Sequence, residues 1–277
     1  MSRTGALRGL LPLLPLLLVL LVLLVYPVGR LLVSGLAGGG GLAAFRELAT
    51  VPLYRDVLLR TVRISLTVTV ACLLLGYPVA YTLATAPRWL GAPLLVLVVV
   101  PFWISLLARS FTWLVLLQRN GVMNQLLQAA GLSKEPVPLV YNELGVYVGM
   151  IHILLPYMIL SCYGVMRGID PTLLRAAANL GASDWQAFRC VWIPLSLPGV
   201  AAGSVLLFVL GLGFFITPAL LGGGKVTTVA VLIEANVREA LNWPLAAALS
   251  CGLLAATVLA LAPAFRLLRF DRLVAPR

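Results

Sequence analysis

Residues 170–186 read DPTLLRAAANLGASDWQ and lie between two long apolar stretches. Asp170 is a favoured helix N-cap residue, and the proline after it fits the first helical position, where a missing N–H is harmless. The alanine-rich run that follows favours helix. Gly181 is typical of the left-handed residue that ends a helix. Ser183 and Gln186 form the S-x-x-Q capping pattern of a second helix. The stretch therefore predicts two short helices joined by a sharp glycine turn.

Apolar side chains lie on both predicted helices. Leu173, Ala177 and Leu180 share one face of the first helix, and Trp185 and Phe188 lie on the second. An exposed apolar patch of this kind often marks a docking surface for another protein. The alternative is that both helices lie against the surface of a bilayer. The pattern favours docking and leaves both interpretations open.

The rest of the chain is far more apolar than a soluble domain. Of its 277 residues, 61% are hydrophobic and 10% are charged, and the mean hydropathy is +1.05. Soluble domains have about 45–50% apolar and about 25% charged residues. A single soluble core could not bury this much apolar surface, whereas lipid can surround it. The apolar runs are long and unbroken, which indicates helices, because the strands of a membrane barrel alternate in polarity.

Six stretches are long enough to span a membrane as helices, which takes about 20 residues each. They are Leu10–Val28, Ile64–Ala86, Leu90–Leu117, Leu144–Met166, Leu195–Leu221 and Pro244–Phe265. The first has the basic start of a signal peptide, but its apolar body exceeds the usual ~7–15 residues, so we expect an uncleaved span. The predicted fold class is all-α, a polytopic membrane helical bundle of six transmembrane helices.

Charge placement predicts the orientation of these spans. Basic residues divide evenly between the two sets of loops, so the assignment rests on the termini. Arg3 and Arg8 precede the first span, and further arginines follow the last. Because basic residues near span ends stay in the cytoplasm, both termini are expected there.

Several classes of function are excluded by residue type. The net charge is +11, but the basic residues are dispersed without a Lys/Arg block, which argues against nucleic-acid binding. One histidine and four scattered cysteines give too few ligands for a zinc site, so no metal is expected. Hydrolase motifs such as G-x-S-x-G and H-E-x-x-H are absent, as is the Walker A pattern G-x-x-x-x-G-K-[ST]. We therefore expect a chain that is not an enzyme and binds no cofactor of its own.

The spacing around the glycine turn resembles a family motif. Read from position 175, the chain follows E-A-A-x-x-x-G-A-S-x-W-x-x-F-x-x-V-x-x-P-x-x-x-P-G at every fixed position except the first. This resembles the cytoplasmic EAA motif of binding-protein-dependent ABC importer permeases. In that family the loop is a coupling helix that sits in a groove of the ATP-hydrolysing subunit. The acidic first residue is Arg175 here, which puts an ion pair with the partner in doubt.

The resemblance implies a division of the chain and a set of coupling residues. It implies the type I ABC importer permease fold, with the first transmembrane helix and a periplasmic loop in residues 1–57. Residues 58–277 would hold the other five helices and the cytoplasmic coupling loop, 167–194. The residues implied to couple to the ATPase are Leu173, Arg175, Ala176, Ala177, Leu180, Gly181, Ala182, Ser183, Trp185 and Phe188.

Two more segments resemble spermidine/putrescine-type permeases. One is PFWISLLARSFTW at 101–113 with RNG at 119–121, and the other is FITPALLGGGK at 215–225 with NWP at 242–244. The resemblance covers most of the chain from the second span onward. It implies a dimer of ATP-binding subunits, a second permease chain usually different from this one, and a periplasmic substrate-binding protein. It also implies an inner-membrane location.

A polyamine is the substrate class implied by this resemblance. Glu234 and Glu239, in the last outer loop, suit such a cation, but the outer side as a whole is net basic. An anionic or metal-chelate substrate, such as phosphonate or iron, therefore stays open. An ion-coupled secondary transporter is the third hypothesis, although the acidic residues and inverted repeats that such carriers use are not seen in the apolar spans.

Six residues are candidates for the substrate path: Trp103, Arg109, Trp113, Thr217, Pro218 and Glu234. Arg109 either lines a cavity or extends to the outer headgroups, the second being favoured. His152 is expected to make a hydrogen bond between helices. The two tryptophans either stack on substrate or lie at the membrane interface. Pro218 is expected to break the fifth span and form a gate there, with helix packing as the alternative.

Overall fold

The computed structural model of the chain describes residues 14–26, 29–30, 33 and 41–268. Regular structure in these residues is helical, as the sequence predicts. The helices are α1 (Leu14–Leu20), α2 (Gly41–Thr50), α3 (Pro52–Thr85), α4 (Arg88–Val99), α5 (Leu106–Leu117), α6 (Val122–Ala129), α7 (Glu143–Met166), α8 (Pro171–Asn179), α9 (Asp184–Ala187), α10 (Ile193–Leu212), α11 (Ile216–Leu221), α12 (Val229–Arg238) and α13 (Trp243–Leu268).

Four of the described helical stretches are long and apolar enough to cross a membrane. They are α3, α7, the stretch Asp184–Leu212 and the part of α13 up to Ala262. A fifth is possible if the bent pair Arg88–Trp103 and Leu106–Ala129 counts as one span. The first predicted span, Leu10–Val28, lies partly outside the described residues. In its described part, α1 continues into a π turn at Leu21–Val25. The all-helical membrane bundle is confirmed, and the count of six is not.

The third predicted span, Leu90–Leu117, is wrong as a single helix. α4 passes into a 3₁₀ turn at Val100–Trp103, and the chain bends by 99° before α5. Ile104 has extended backbone, with φ −89° and ψ 130°. The reason is Pro101, which cannot donate a backbone hydrogen bond and whose ring disfavours a continuing helix.

The fifth predicted span is longer at its start and broken near its end. α9 continues through a π turn at Phe188–Trp192 into α10, so one stretch of 29 residues runs from Asp184 to Leu212. Pro194 does not interrupt it, because the wider π turn accommodates the missing N–H. The break comes at residues 213–215, before the proline predicted to cause it. Pro218 instead lies in the first turn of α11, where it disturbs no helical hydrogen bond.

By their internal contacts, the described residues form two compact units. One contains residues up to Arg55 together with Leu232–Leu254, and the other contains Asp56–Val231 together with residues from Ala255 onward. In the smaller unit the Tyr54 hydroxyl donates to Glu47 Oε1 at 2.8 Å. α3 is 34 residues long, about 50 Å, and is continuous through residues 57 and 58, between which the predicted division of the chain falls.

The core of the larger unit is built around α7. Met150, Leu154 and Met158 on this helix are fully buried. α10 packs closely along α7, because a Cβ added to Gly203 would lie only 2.9 Å from the Met158 sulfur. Small residues of this kind allow membrane helices to approach closely and gain van der Waals contact. α7 and α10 therefore form the frame that positions the segments at either end.

Candidate functional site

The predicted pair of short helices is present at the Met166 end of α7. The Asp170 side chain caps α8 by accepting a hydrogen bond from the Thr172 N–H at 2.8 Å. That backbone hydrogen bond is the main reason that the Asp170 pKa lies below its ordinary value. Pro171 is the first residue of the helix, as the sequence predicts.

A Schellman motif ends α8. Gly181 has φ +85°, and its N–H donates to Ala178 O at 2.9 Å, while the Ala182 N–H donates to Ala177 O at 3.0 Å. Ser183 then caps α9 through both arms of the predicted capping box. The Gln186 N–H donates to Ser183 Oγ at 3.3 Å, and the Ser183 N–H donates to Gln186 Oε1 at 2.8 Å. Local hydrogen bonds therefore hold the turn in one shape.

Apolar side chains are exposed along this helix–turn–helix segment, defined as residues 170–192. Leu180 is 89% exposed, Trp185 66% and Leu173 45%. Arg175 and Ala176 are also exposed, whereas Ala177 and Ala182 are half-buried. A groove of about 400 Å³ lies between the two helices and is lined in part by Ala177 and Gly181. An exposed leucine and tryptophan on a rigid turn form a surface suited to protein contact.

An aromatic cluster connects the segment to the membrane helices. Trp185 stacks on Phe188 with ring centroids 5.7 Å apart. Phe188 and Trp192 both pack edge-on against Tyr81 of α3, at 5.4 and 5.1 Å. Because α9 also continues into α10, a displacement of Trp185 would reach α3 and α10 together. Tyr81 was not identified from the sequence, since only tertiary contact relates it to this distant segment.

A second candidate site lies where the two broken spans meet. The Ser110 hydroxyl of α5 and the Thr217 hydroxyl of α11 are hydrogen-bonded at 3.1 Å, and both residues are fully buried. Pro218 is buried next to Thr217. Interrupted helices inside a membrane bundle are tolerated where they pack against protein or line a cavity. The structure thus brings together two predicted substrate-path segments from distant parts of the sequence.

Arg109 lies on α5, next to Ser110, and is buried. It is 9% exposed, and within the described residues its Nε has no hydrogen-bond partner. The interpretation in which Arg109 extends to the headgroups is therefore wrong, because the neighbouring helices enclose its side chain. Trp113, one turn further, packs edge-on against His152 of α7 at 5.5 Å. The hydrogen bond expected for His152 is not found among the described residues.

Trp103 and Glu234 are the other two path candidates. Trp103 is 80% exposed on the 3₁₀ turn at the bend. Glu234 is in the smaller compact unit, on α12, where it pairs with Arg238 at 3.2 Å. Trp103 is therefore not part of the buried group that includes Arg109, Thr217 and Pro218.

A larger cavity opens at the Glu143 end of α7. It measures about 640 Å³, and Arg119, Tyr141 and Lys225 are among its lining residues. Asn124, which is buried, shapes the adjoining loop. Its amide donates to Gln118 O and Val137 O, each at 3.0 Å, and its Oδ1 accepts from the Val137 N–H at 2.8 Å. Arg60 and Arg63 pair with Glu143 at the same end.

Sequence comparisons with known proteins all match membrane components of transport systems. The family model described as binding-protein-dependent transport system inner membrane component matches residues 11–277. The chain is 37% identical over 199 residues to the spermidine/putrescine transport system permease protein PotB of Escherichia coli (strain K12), covering 72% of each chain. It is also 37% identical over 202 residues to PotB of Haemophilus influenzae (strain ATCC 51907 / DSM 11121 / KW20 / Rd), covering 73% of this chain and 71% of that protein.

A solved structure shares the fold. It is a bacterial alginate ABC transporter in complex with an alginate pentasaccharide-bound periplasmic protein, and its matching chain superposes with a TM-score of 0.71. The sequence identity is 20%, and the match covers 95% of this chain and 93% of that chain. At a sequence identity of 20%, this structural similarity shows a shared fold alone.

Proposed function

This chain belongs to the family of binding-protein-dependent transport system inner membrane components, and we propose that it forms the translocation path for a polyamine such as spermidine or putrescine. It is a permease subunit of an ABC importer, a transport component of the inner membrane. The observation that supports the polyamine is the 37% identity to two PotB proteins over about seven tenths of the chain.

The helix–turn–helix segment is the part that receives motion from the ATPase. A dimer of ATP-binding subunits supplies ATP binding and hydrolysis, so the permease needs no cofactor. The docking residues in this proposal are Leu173, Arg175, Ala176, Ala177, Leu180, Gly181, Ala182, Ser183, Trp185 and Phe188. Two structural features support it: apolar residues are exposed on a turn fixed by caps, and the second helix of that turn is continuous with a membrane span. A push on Trp185 then tilts α10 and, through the aromatic cluster, α3.

The substrate path is assigned to the meeting point of the two broken spans. Arg109, Trp113, Thr217 and Pro218 lie there, and Trp103 and Glu234 are also assigned to the path. Alternation between inward-open and outward-open states would move α5 against α11, whose contact includes the Ser110–Thr217 hydrogen bond.

A second substrate class, an anion or a metal chelate, is favoured by one set of observations. Arg109 is a buried cation without an ion pair in the described residues, and Arg119 and Lys225 line the cavity at the Glu143 end. A polycation would be repelled by these groups, whereas phosphonate or an iron chelate of negative net charge would be attracted.

The assembly in this proposal follows the family. Six membrane helices, of which residues 58–277 provide five, pair with a second and different permease chain. Both termini and the coupling loop 167–194 face the cytoplasm, and the Glu143 end of α7 receives a periplasmic binding protein. An ion-coupled carrier would instead transport without any of these partners.

Reconstitution of the assembled transporter in liposomes tests the proposal. With binding protein and internal ATP, uptake of labelled putrescine or spermidine is expected, and excess phosphonate should not compete. Uptake of an anion in place of the polyamine would support the second substrate class. Transport by the chain alone, driven by an ion gradient without ATP, would contradict the importer mechanism itself.

A further inference from the structure

A separate cavity lies at the Met166 end of α7, between the end of α3, the start of α4 and the end of α7. Its volume is about 400 Å³. Leu83 and Leu95 are among the apolar residues of its wall, and Arg88 and Arg167 supply its charge. None of its lining residues belongs to the docking set or to the substrate path.

The charge of this cavity is positive and unbalanced. Among the described residues, its lining contains two guanidinium groups and no carboxylate. Arg167 Nη1 donates to the Tyr163 hydroxyl at 2.9 Å, and the guanidinium carbon lies 5.9 Å from the centre of the Tyr163 ring. Tyr163 therefore orients one of the two arginines. Guanidinium groups present paired N–H donors that match the oxygens of a phosphate.

Arg88 adds a second favourable feature. It is the first residue of α4, a helix of 12 residues. The positive end of the helix dipole is there, and it favours an anion near the first turn. The dipole alone would not define a site, but here it acts in a cavity that two arginines already line.

The surroundings indicate that the anion is part of a membrane lipid. Trp89, next to Arg88, is 73% exposed, and exposed tryptophans on membrane helices are typical of the headgroup level. Leu83 and Leu95 continue the wall in apolar side chains, as an acyl chain would require. A free anion would leave that part of the wall in contact with water.

We propose that this cavity binds the phosphate of an anionic membrane phospholipid, with Arg88 and Arg167 donating hydrogen bonds and Tyr163 orienting Arg167. The bound lipid joins α4 to the end of α7 beside the helix–turn–helix segment. The site requires membrane insertion but not any particular substrate, so it is independent of the polyamine assignment.

Native mass spectrometry of the assembled transporter with phosphatidylglycerol or phosphatidylcholine tests the proposal. The unchanged protein should retain phosphatidylglycerol in preference to phosphatidylcholine. The double change R88Q/R167Q should weaken phosphatidylglycerol binding about thirtyfold, from about 1 kcal/mol per basic residue at an anionic surface. Arg189→Gln is the matched control, because Arg189 is an exposed arginine that does not line the cavity. It should leave binding unchanged.

Two further measurements complete the test. Tyr163→Phe keeps the ring and removes the hydrogen bond to Arg167, so it should weaken phosphatidylglycerol binding severalfold in a protein that folds normally. Equal retention of both lipids, or full binding by the double variant, would overturn the proposal. Inorganic phosphate that binds the cavity alone and displaces the lipid would assign the site to a soluble phosphate and overturn the lipid assignment.

Discussion

Gly181 is the residue on which the shape of the helix–turn–helix segment depends. Its φ of +85° lies in the left-handed region, and apart from Gly181 and its two chain neighbours no described residue has an atom within 4 Å of the place where a Cβ would stand. The strain of a substitution is therefore a backbone effect and not a steric clash. A side chain in this conformation costs roughly 1–2 kcal/mol.

We expect Gly181→Ala to reduce the fraction of ATP-binding subunit that copurifies with the chain about tenfold, since about 1.4 kcal/mol corresponds to that factor. Gly164→Ala is the control, because Gly164 is within α7 and has open space for a Cβ. Equal copurification by both variants would separate the turn from docking.

Arg109 is the other residue that we single out at this scale, because its buried charge needs a ligand or a partner group. A buried charge without an ion pair lowers stability, and replacement by a hydrophobic residue of similar size is often neutral or stabilising. Arg109→Met should therefore leave the thermal unfolding midpoint unchanged or raised, while substrate uptake falls at least about tenfold. Arg109→Lys retains the charge and should retain more uptake. Normal uptake by the methionine variant would remove Arg109 from the substrate path.

At the scale of elements, the stretch from α9 to α10 matters most. A loop helix that is continuous with a span transmits a push without a hinge, and here the π turn accommodates Pro194 without a break. Tyr81 makes α3 part of the same unit through its contacts with Phe188 and Trp192. Docking and transmission are therefore assigned to different residues of one aromatic cluster.

Two substitutions separate these roles. Trp185→Ala removes an exposed docking group and should reduce capture of the ATP-binding subunit. Tyr81→Leu leaves the docking surface in place, so capture should persist while ATP hydrolysis becomes less coupled to uptake. The measurement is the ratio of ATP hydrolysed to substrate imported in liposomes, which should rise severalfold for Tyr81→Leu. Loss of capture in this variant would contradict the division.

At the scale of the whole molecule, large apolar side chains are exposed along the membrane helices. Leu74 on α3, Leu97 on α4 and Leu259 on α13 are each about 70% exposed. Such surface is stable only against lipid or another permease chain. The exposed Leu180 and Trp185 differ from these, because they lie at the capped turn that joins α8 to α9.

The orientation of the molecule is testable with a cysteine that the chain already contains. Cys190 on the helix–turn–helix segment is exposed, whereas Cys72 and Cys162 are buried and Cys251 is partly buried. A membrane-impermeant maleimide should label Cys190 in inside-out vesicles. It should not label Cys190 in spheroplasts, which have lost the outer membrane but keep a sealed inner membrane. Cys190→Ser serves as the control. Labelling from the outer face would contradict the proposed coupling to a cytoplasmic ATPase.

The sequence by itself determined the local shapes. The Asp170 cap, the Gly181 turn and the Ser183 capping box were all predicted, because each depends on residues two to five positions apart. The apolar runs determined the membrane bundle in the same local way. Each run is apolar enough by itself to favour lipid over water, whatever the other runs do.

Only the tertiary structure decided where the spans break and what the breaks contact. The bend after Trp103, the pairing of Ser110 with Thr217, the burial of Arg109 and the packing of Tyr81 on the helix–turn–helix segment join residues far apart in the chain. A proline marks a place where a helix is weak, but whether it bends or continues depends on the hydrogen bonds and packing that neighbouring elements supply. Those contacts exist only once the helices have assembled.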